Sequence, residues 1–190
     1  MKIYQNRIEM IKDLIKESFV CGEFGVLLGD FSSEILSLNP QKLFLIDAWG
    51  NNIISGDHNG NNIKEYPKGN DLIEFVRHKF HKNNNVEIYR SLSTDFLVNY
   101  HGENFDFIYI DTTHDYQNTL NELELAFQKT NKRGYISGHD FGVNVAKCDN
   151  YDFCNSFGVR DAVNEFCAKY NLSINFLALD GCLSFAIQKN

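Results

Sequence analysis

The chain has 190 residues, 43% of them hydrophobic, with 18 Lys and Arg against 25 Asp and Glu for a net charge of −7. That length and apolar content suit one domain over 1–190 with a sizeable core. The acidic balance and the lack of a basic stripe argue against nucleic acid or an anionic membrane as the main partner. No apolar run approaches the about 18 residues of a membrane span, and the N-terminal MKIYQNRIEMIKDLIKES is charged and amphipathic rather than a leader. The five cysteines, Cys21, Cys148, Cys154, Cys167 and Cys182, are odd in number, scattered and without a C-x-x-C pair. Reduced thiols in a cytoplasmic protein are the expectation.

In chain order, Ile8, Ile11, Ile15 and Phe19 share one helical face, and an N-terminal helix is expected over 1–18. Val20 to Phe24 reads as a short strand, Ser32 to Leu38 as a helix closed by Asn39-Pro40, and Lys42 to Ile46 as a strand ending on Asp47. Residues 50–69 are rich in Asn and Gly, as are 142–157. Both stretches are too polar for core and long for plain connections, which marks them as candidate substrate or lid loops. A helix is expected over Asp71 to Phe80, a strand over Val86 to Tyr89, and a helix from Ser93, which can cap it, to Tyr100. Phe105 to Ile110 is a continuous apolar strand. Tyr116 to Lys129 is a helix with Leu120, Leu123 and Phe127 inward, ended by Arg133-Gly134 as a C-cap, and a strand begins at Tyr135. Val159 to Tyr170 is a further helix. Ile174 to Leu179 and Cys182 to Ile187 are strands joined by Asp180-Gly181, a hairpin signal. The fold class is therefore α/β: a Rossmann-like, doubly wound, seven-stranded and mostly parallel sheet with a C-terminal antiparallel hairpin.

Chemistry gathers where strands end. Ligands of open α/β sheets bind at the carboxyl ends of the strands. The strand Phe105 to Ile110 stops on Asp111, with His114 three residues later, and the strand from Tyr135 stops on Gly138-His139-Asp140. Gly25 and Gly29 follow the first strand and permit a tight turn with close ligand approach, before a helix whose N-terminal amides can meet a cofactor's polar end. The dinucleotide fingerprint G-x-G-x-x-G is absent. Asp47, about 20 residues on, can take ribose hydroxyls or cap the next helix. His58, His78, His81 and His101 read as solvated surface. A strand-end histidine can equally be a structural hydrogen-bonder, and Asp111 a helix cap.

Together these residues resemble a class I S-adenosylmethionine-dependent methyltransferase of the family 24 type, which includes sugar and small-molecule O-methyltransferases. Glu23-x-Gly25-x-x-x-Gly29-x-x-Ser32 is similar to the family's glycine loop, and Leu45-Ile46-Asp47-x-Trp49 to its L-I-D-x-W. Phe107 to Tyr116 is similar to F-I-Y-I-D-G-x-H-x-Y, Ile136 to Phe141 to I-x-G-H-D-Y, and Gly158 to Phe166 to G-V-x-x-A-V-x-E-F. Thr112-Thr113 departs from the usual Gly-Asp or Gly-Asn.

The resemblance implies S-adenosylmethionine as cofactor. Glu23, Gly25 and Gly29 would surround its methionine part, Asp47 its ribose with Trp49 flanking, and Ser93 its adenine, with Asp111 at the same pocket. Metal-dependent relatives place ligands where Asp111, His139 and Asp140 stand. An imidazole in that set moves preference from Mg²⁺ toward Mn²⁺, and no metal at all stays open. The implied reaction is O-methylation of a sugar-like or phenolic acceptor, with His114 as general base and His139 as the alternative. An NAD(P)-dependent oxidoreductase and an inactive cofactor-binding partner subunit remain alternatives. A homodimer is open, since small members of this fold often pair.

Overall fold

The computed structural model describes residues 1–50, 55–56, 63–64, 70–142 and 157–190. Its strands and helices are β1 (Lys2–Tyr4), α1 (Arg7–Leu14), β2 (Val20–Phe24), α2 (Asp30–Leu36), β3 (Lys42–Asp47), β4 (Ser55–Gly56), β5 (Ile63–Lys64), α3 (Asn70–Phe80), β6 (Val86–Arg90), α4 (Ser93–Asn99), β7 (Phe105–Ile110), α5 (Tyr116–Lys129), β8 (Thr130–Gly138), α6 (Val159–Tyr170), β9 (Ile174–Ala178) and β10 (Ser184–Gln188). The main sheet has eight strands in the order β1-β9-β10-β8-β7-β2-β3-β6, and β4 and β5 form a separate antiparallel pair. The order reverses at β2, the first strand after α1, which pairs in parallel with both β3 and β7. That reversal is where such sheets open a ligand crevice.

The eighth strand corrects the seven expected. Lys2–Tyr4 pairs in parallel with Phe176 to Ala178 on β9, so the N-terminus starts as an edge strand and the helix behind it is confined to Arg7–Leu14. Asn6 ends the strand and caps the helix, its side chain accepting from the Glu9 amide. Within the described main sheet, only β10 runs antiparallel to its neighbours. Its connection to β9 spans 179–183 rather than two residues, because Asp180 accepts from the Ser184 amide and hydroxyl instead of sitting in a tight turn.

Strand alternation divides the core. Leu43 and Leu45 face one side, against Phe31, Ile35, Leu72 and Val76, while Phe44 and Ile46 face the other, against Phe96, Leu97 and Phe105. On β7, Phe105 and Phe107 lie on opposite faces although two residues apart. The register against β8 slips between them, Phe105 pairing with Thr130 and Phe107 with Tyr135, and this irregularity reverses the alternation. Asp106, at the slip, accepts from the Val20 amide and from Asn131. Gly134 is a strand residue rather than the expected C-cap: α5 ends at Lys129, and a Cβ at 134 would lie 2.9 Å from the Asp106 carbonyl.

Among the described residues, no helix is long and apolar enough to cross a membrane. Cys21 and Cys167 are free and buried. Cys182 is disulfide-bonded, against the expectation of reduced thiols. Pairing depends on distance in the fold, which linear spacing does not report. The candidate loops 50–69 and 142–157 lie outside the described residues, apart from β4, β5 and their end residues.

Candidate active site

The C-terminal ends of β2, β3, β6 and β7 border a cavity of ≈ 910 Å³, within the range that holds a cofactor together with a small acceptor. Gly25 forms its sharpest corner. With φ at +89°, its amide donates to the Ile46 carbonyl at 2.9 Å, and a Cβ there would sit 1.8 Å from the Asp111 carbonyl oxygen. No side chain fits. The next turn is held by Asp47, whose Oδ2 accepts from the amides of Val26 and Leu27 at 2.8 and 2.9 Å, while Oδ1 accepts from the Trp49 amide at 2.7 Å. The carboxylate thus ties the glycine loop to the end of β3 while still lining the cavity.

Two buried glutamates line the same cavity. Glu23, on β2, accepts from the Ser32 hydroxyl. Burial pushes its carboxyl up to about 8, with Ser32 and Arg7 pulling the other way and Asp111 and Asp47 adding to the rise. Glu122, on α5, accepts from the hydroxyls of Ser93 and Thr112.

Beyond the glycine loop the cavity meets a charge cluster. His114 Nε2 bridges two carboxylates, 3.3 Å from Asp111 Oδ1 and 2.9 Å from Asp140 Oδ2. His139 Nδ1 stands 3.2 Å from the same Asp140 oxygen. Arg7 reaches in from α1, its guanidinium 3.6 Å from Asp111 and 3.7 Å from Asp180, donating to the Tyr109 hydroxyl at 3.1 Å and lying 3.8 Å over the Phe31 ring. Both His114 and Asp140 adopt left-handed backbone, φ +61° and +57°, a conformation that costs side-chain-bearing residues on the order of 1 kcal/mol or more and often marks sites where a side chain must be aimed. The Phe157 ring stacks on His114 at 4.6 Å.

Burial opposes charge on His114, but hydrogen bonds to Asp111 and Asp140 and their charges outweigh it and raise its pKa to about 10. His139 rises to about 9 in the same way, burial being outweighed chiefly by Asp140 and by the charge of Asp111. For Asp140, burial is overcome by the two imidazoles, which hold it well below the usual carboxylate range. The two carboxylates thus favour the protonated form of the His114 ring.

The match to known proteins now has a geometry to attach to. Residues 21–141 match the model of the family described as a methyltransferase domain, methyltransferase family 24. The chain belongs to that family. No curated protein matches it by sequence. Among solved structures it is similar to the N-methyltransferase NodS from Bradyrhizobium japonicum WM9 bound to S-adenosylhomocysteine, at 12% identity and a TM-score of 0.60 over 97% of this chain and 88% of that one. It is similar as well to a candidate caffeoyl-CoA O-methyltransferase from Staphylococcus aureus, at 14% identity and a TM-score of 0.63 over 95% and 82%. A ribosomal protein L11 methylase from Lactobacillus delbrueckii subsp. bulgaricus matches at 12% identity and a TM-score of 0.61 over 96% and 77%. The chain therefore carries a methyltransferase domain, and the nicotinamide alternative is set aside. Likenesses this remote establish the fold and leave the acceptor atom open.

In this methyltransferase Glu23, Gly25, Asp47, Ser93, Asp111 and His114 all line the cavity. Gly29 and Trp49 do not. Gly29, with φ at +69°, starts α2 against the Phe80 ring. Trp49 is fully buried, its indole N–H donating to the Leu27 carbonyl at 3.0 Å. Ser93 does not cap α4; Leu92 holds the N-cap position and the Ser93 hydroxyl goes to Glu122. Sequence reasoning missed Arg7, Glu122 and Asp180. Arg7 carried no signal. Glu122 had one, since Thr119, Glu122, Leu123 and Ala126 form the buried stripe of α5 at helical spacing.

Proposed function

We propose that the methyltransferase moves the methyl group of S-adenosylmethionine to a hydroxyl oxygen of a small acceptor, sugar-like or phenolic. The observation that carries this reading is the cluster of two carboxylates and two imidazoles at the cavity's edge, Asp111, His114, His139 and Asp140. Methyl transfer from a sulfonium is an in-line displacement. An alcohol or phenol acceptor must be aligned and must lose a proton as the C–O bond forms. The new bond forms from an oxygen lone pair, the S–C bond breaks, its electron pair stays on sulfur, and the proton leaves the oxygen toward the cluster.

The roles divide along the cavity. Glu23 lies where it can meet the ammonium of the methionine part, Gly25 lets the cofactor approach the backbone, and Asp47 offers a carboxylate to the ribose. The acid-rich lining suits a ligand that carries a sulfonium and an ammonium. His114, between Asp111 and Asp140, is the group proposed to take the acceptor proton, which it can do only from its neutral form, with His139 on the far side of Asp140 as the alternative.

The donor set also fits a divalent ion. Donor atoms of Asp111, His139 and Asp140 lie within 4.8 Å of one another. Bonds of about 2.1 Å bring ligands of one ion within about 4.2 Å, so shifts below about 1 Å close the set. One imidazole with two carboxylates suits Mn²⁺ better than Mg²⁺. When bound, such an ion would supply Lewis acidity to an acceptor oxygen.

The test is turnover. Purified protein incubated with S-adenosylmethionine and pools of hydroxylated sugars and phenols, with and without Mn²⁺, is expected to release S-adenosylhomocysteine. His114→Gln is expected to lose about 10²-fold or more in rate with cofactor affinity unchanged. Full activity in that variant removes His114 from the assignment. Cofactor binding without turnover on any acceptor pool returns the inactive partner subunit.

A further inference from the structure

Among the described residues that line the cavity, Arg7 is the one lysine or arginine, and the reading above gives it no role. A guanidinium has five N–H donors and no acceptor. Among the described residues only one of them is hydrogen-bonded, from Nη1 to the Tyr109 hydroxyl at 3.1 Å. The carboxylates of Asp111 and Asp180 stand at 3.6 and 3.7 Å, ion-pair distances beyond hydrogen-bond reach. The contact with Tyr109 is itself fixed. The Tyr109 hydroxyl is 2.8 Å from Ser184 Oγ, and Ser184 Oγ donates to Asp180 Oδ2 at 3.1 Å. With the serine hydrogen directed at Asp180, Tyr109 donates to Ser184 and accepts from Arg7. Tyr109 and Ser184 are fully buried. The guanidinium is thus held from behind by a buried hydrogen-bond chain and on one face by the Phe31 ring at 3.8 Å, while further N–H groups remain for a ligand.

Its position selects the ligand. Arg7 and His114 take opposite oxygens of one carboxylate, Asp111 Oδ2 at 3.6 Å and Oδ1 at 3.3 Å. An acceptor whose hydroxyl faces His114 therefore has a guanidinium fork one carboxylate's width away. A ligand carboxylate meets such a fork through two parallel N–H bonds. One guanidinium matches one negative charge. A phosphate dianion would keep a charge unmatched in a lining that also holds Glu23, Asp47 and Asp111. The cofactor's sulfonium adds positive charge to the same space and further favours an anion over a neutral acceptor.

We infer that Arg7, fixed by Tyr109 and Phe31, is a specificity-determining residue that receives the carboxylate of an acidic acceptor, so that the preferred substrates are hydroxy acids, such as a uronic acid or a hydroxybenzoate, rather than neutral sugars or phenols. This rests on the acceptor reading and narrows it. Two rivals are separable. A purely structural strut between α1 and Asp111 gives no preference for acids, and an Arg7 that held the cofactor's own carboxylate would weaken S-adenosylhomocysteine binding when replaced.

The experiment titrates the full chain, saturated with S-adenosylhomocysteine, with matched probes: glucuronate against glucose, and 4-hydroxybenzoate against 4-hydroxybenzamide. In the wild type at least one acid is expected to bind about tenfold or more tightly than its neutral partner. Arg7→Gln is expected to bring that pair within about threefold, with S-adenosylhomocysteine affinity also within about threefold of wild type. Arg7→Lys keeps the charge without the fork and is expected to retain only part of the preference, so the site can still be read if the glutamine variant does not fold. No acid preference in either wild-type pair overturns the inference, and so does a preference undiminished in a folded Arg7 variant. A loss of about tenfold or more in S-adenosylhomocysteine affinity in a folded variant also overturns it, by assigning Arg7 to the cofactor. In each of these cases turnover of S-adenosylmethionine on neutral hydroxylated acceptors keeps the proposed reaction standing. An acid preference that depends on Arg7, without turnover on any acceptor, supports the carboxylate site and removes the proposed reaction.

Discussion

The cavity's glycine-loop side and the charge cluster at its edge are built by different means. The cofactor side, around Gly25, Asp47 and Glu23, is shaped mainly by backbone. One glycine at φ +89° lies against the Asp111 carbonyl, and one carboxylate gathers the amides of Val26, Leu27 and Trp49. The side proposed for the acceptor is shaped by charge. Arg7, Asp111, His114, His139, Asp140 and Asp180 arrive from four separate stretches of chain and balance one another across 2.9 to 3.7 Å. Backbone geometry tolerates little change and defines one ligand. A charge cluster can be retuned by single substitutions, which suits the half of a methyltransferase that must match its acceptor.

The sharpest way to break the first half is Gly25→Ala. The added Cβ has only 1.8 Å to the Asp111 carbonyl, so a cost of about 3 kcal/mol or more is expected, with loss of S-adenosylhomocysteine binding, read by urea denaturation and calorimetry. Unchanged binding would mean the loop can relax and the cradle is not fixed by its backbone. The second half breaks differently. Asp140→Asn removes the carboxylate shared by both imidazoles, and turnover is expected to fall about 10²-fold while S-adenosylhomocysteine affinity stays within about threefold. A matching loss of cofactor affinity would merge the two halves into one unit.

Glu23 sharpens the comparison through pH. Its folded pKa of about 8 exceeds the ordinary 4.5, so across that window the folded state holds more protons than the unfolded one. Stability is then expected to fall as pH rises from about 4.5 to about 8, on the order of a few kcal/mol in all. Glu23→Gln should flatten that slope in thermal melts taken between pH 5 and pH 8, and an unchanged slope would assign it to other groups. The smallest effect is expected at Gly181, also at φ +90° but with nothing within 4 Å of a Cβ. Gly181→Ala should cost only about 1 kcal/mol, which isolates the backbone contribution from the clash that dominates at Gly25.

Most of the frame was legible because its signals are local. Phe105–Ile110, Tyr116–Lys129 and Val159–Tyr170 are bounded where apolar runs and helical spacing place them. The edge strand Lys2–Tyr4 was not, since three residues carry no periodicity and pair only because β9 offers an open edge. Strand-end residues such as Asp111 and His114 announced themselves by position. Arg7 and Asp180 did not, because an ion pair across more than a hundred residues leaves no spacing to read. Trp49 matched a motif yet packs inward, its indole held by Leu27. The disulfide at Cys182 was hidden for the same reason of distance.

The most direct test of the cofactor site is calorimetric titration of the chelator-treated protein with S-adenosylhomocysteine at pH 7, in two buffers of different ionisation enthalpy, with NAD as control. The expected result is micromolar binding, none for NAD, and release of about one proton per site as the ligand's ammonium converts Glu23 from carboxyl to carboxylate. Binding without proton release would contradict the role of Glu23. No binding of S-adenosylhomocysteine would contradict the cavity's assignment as the cofactor site.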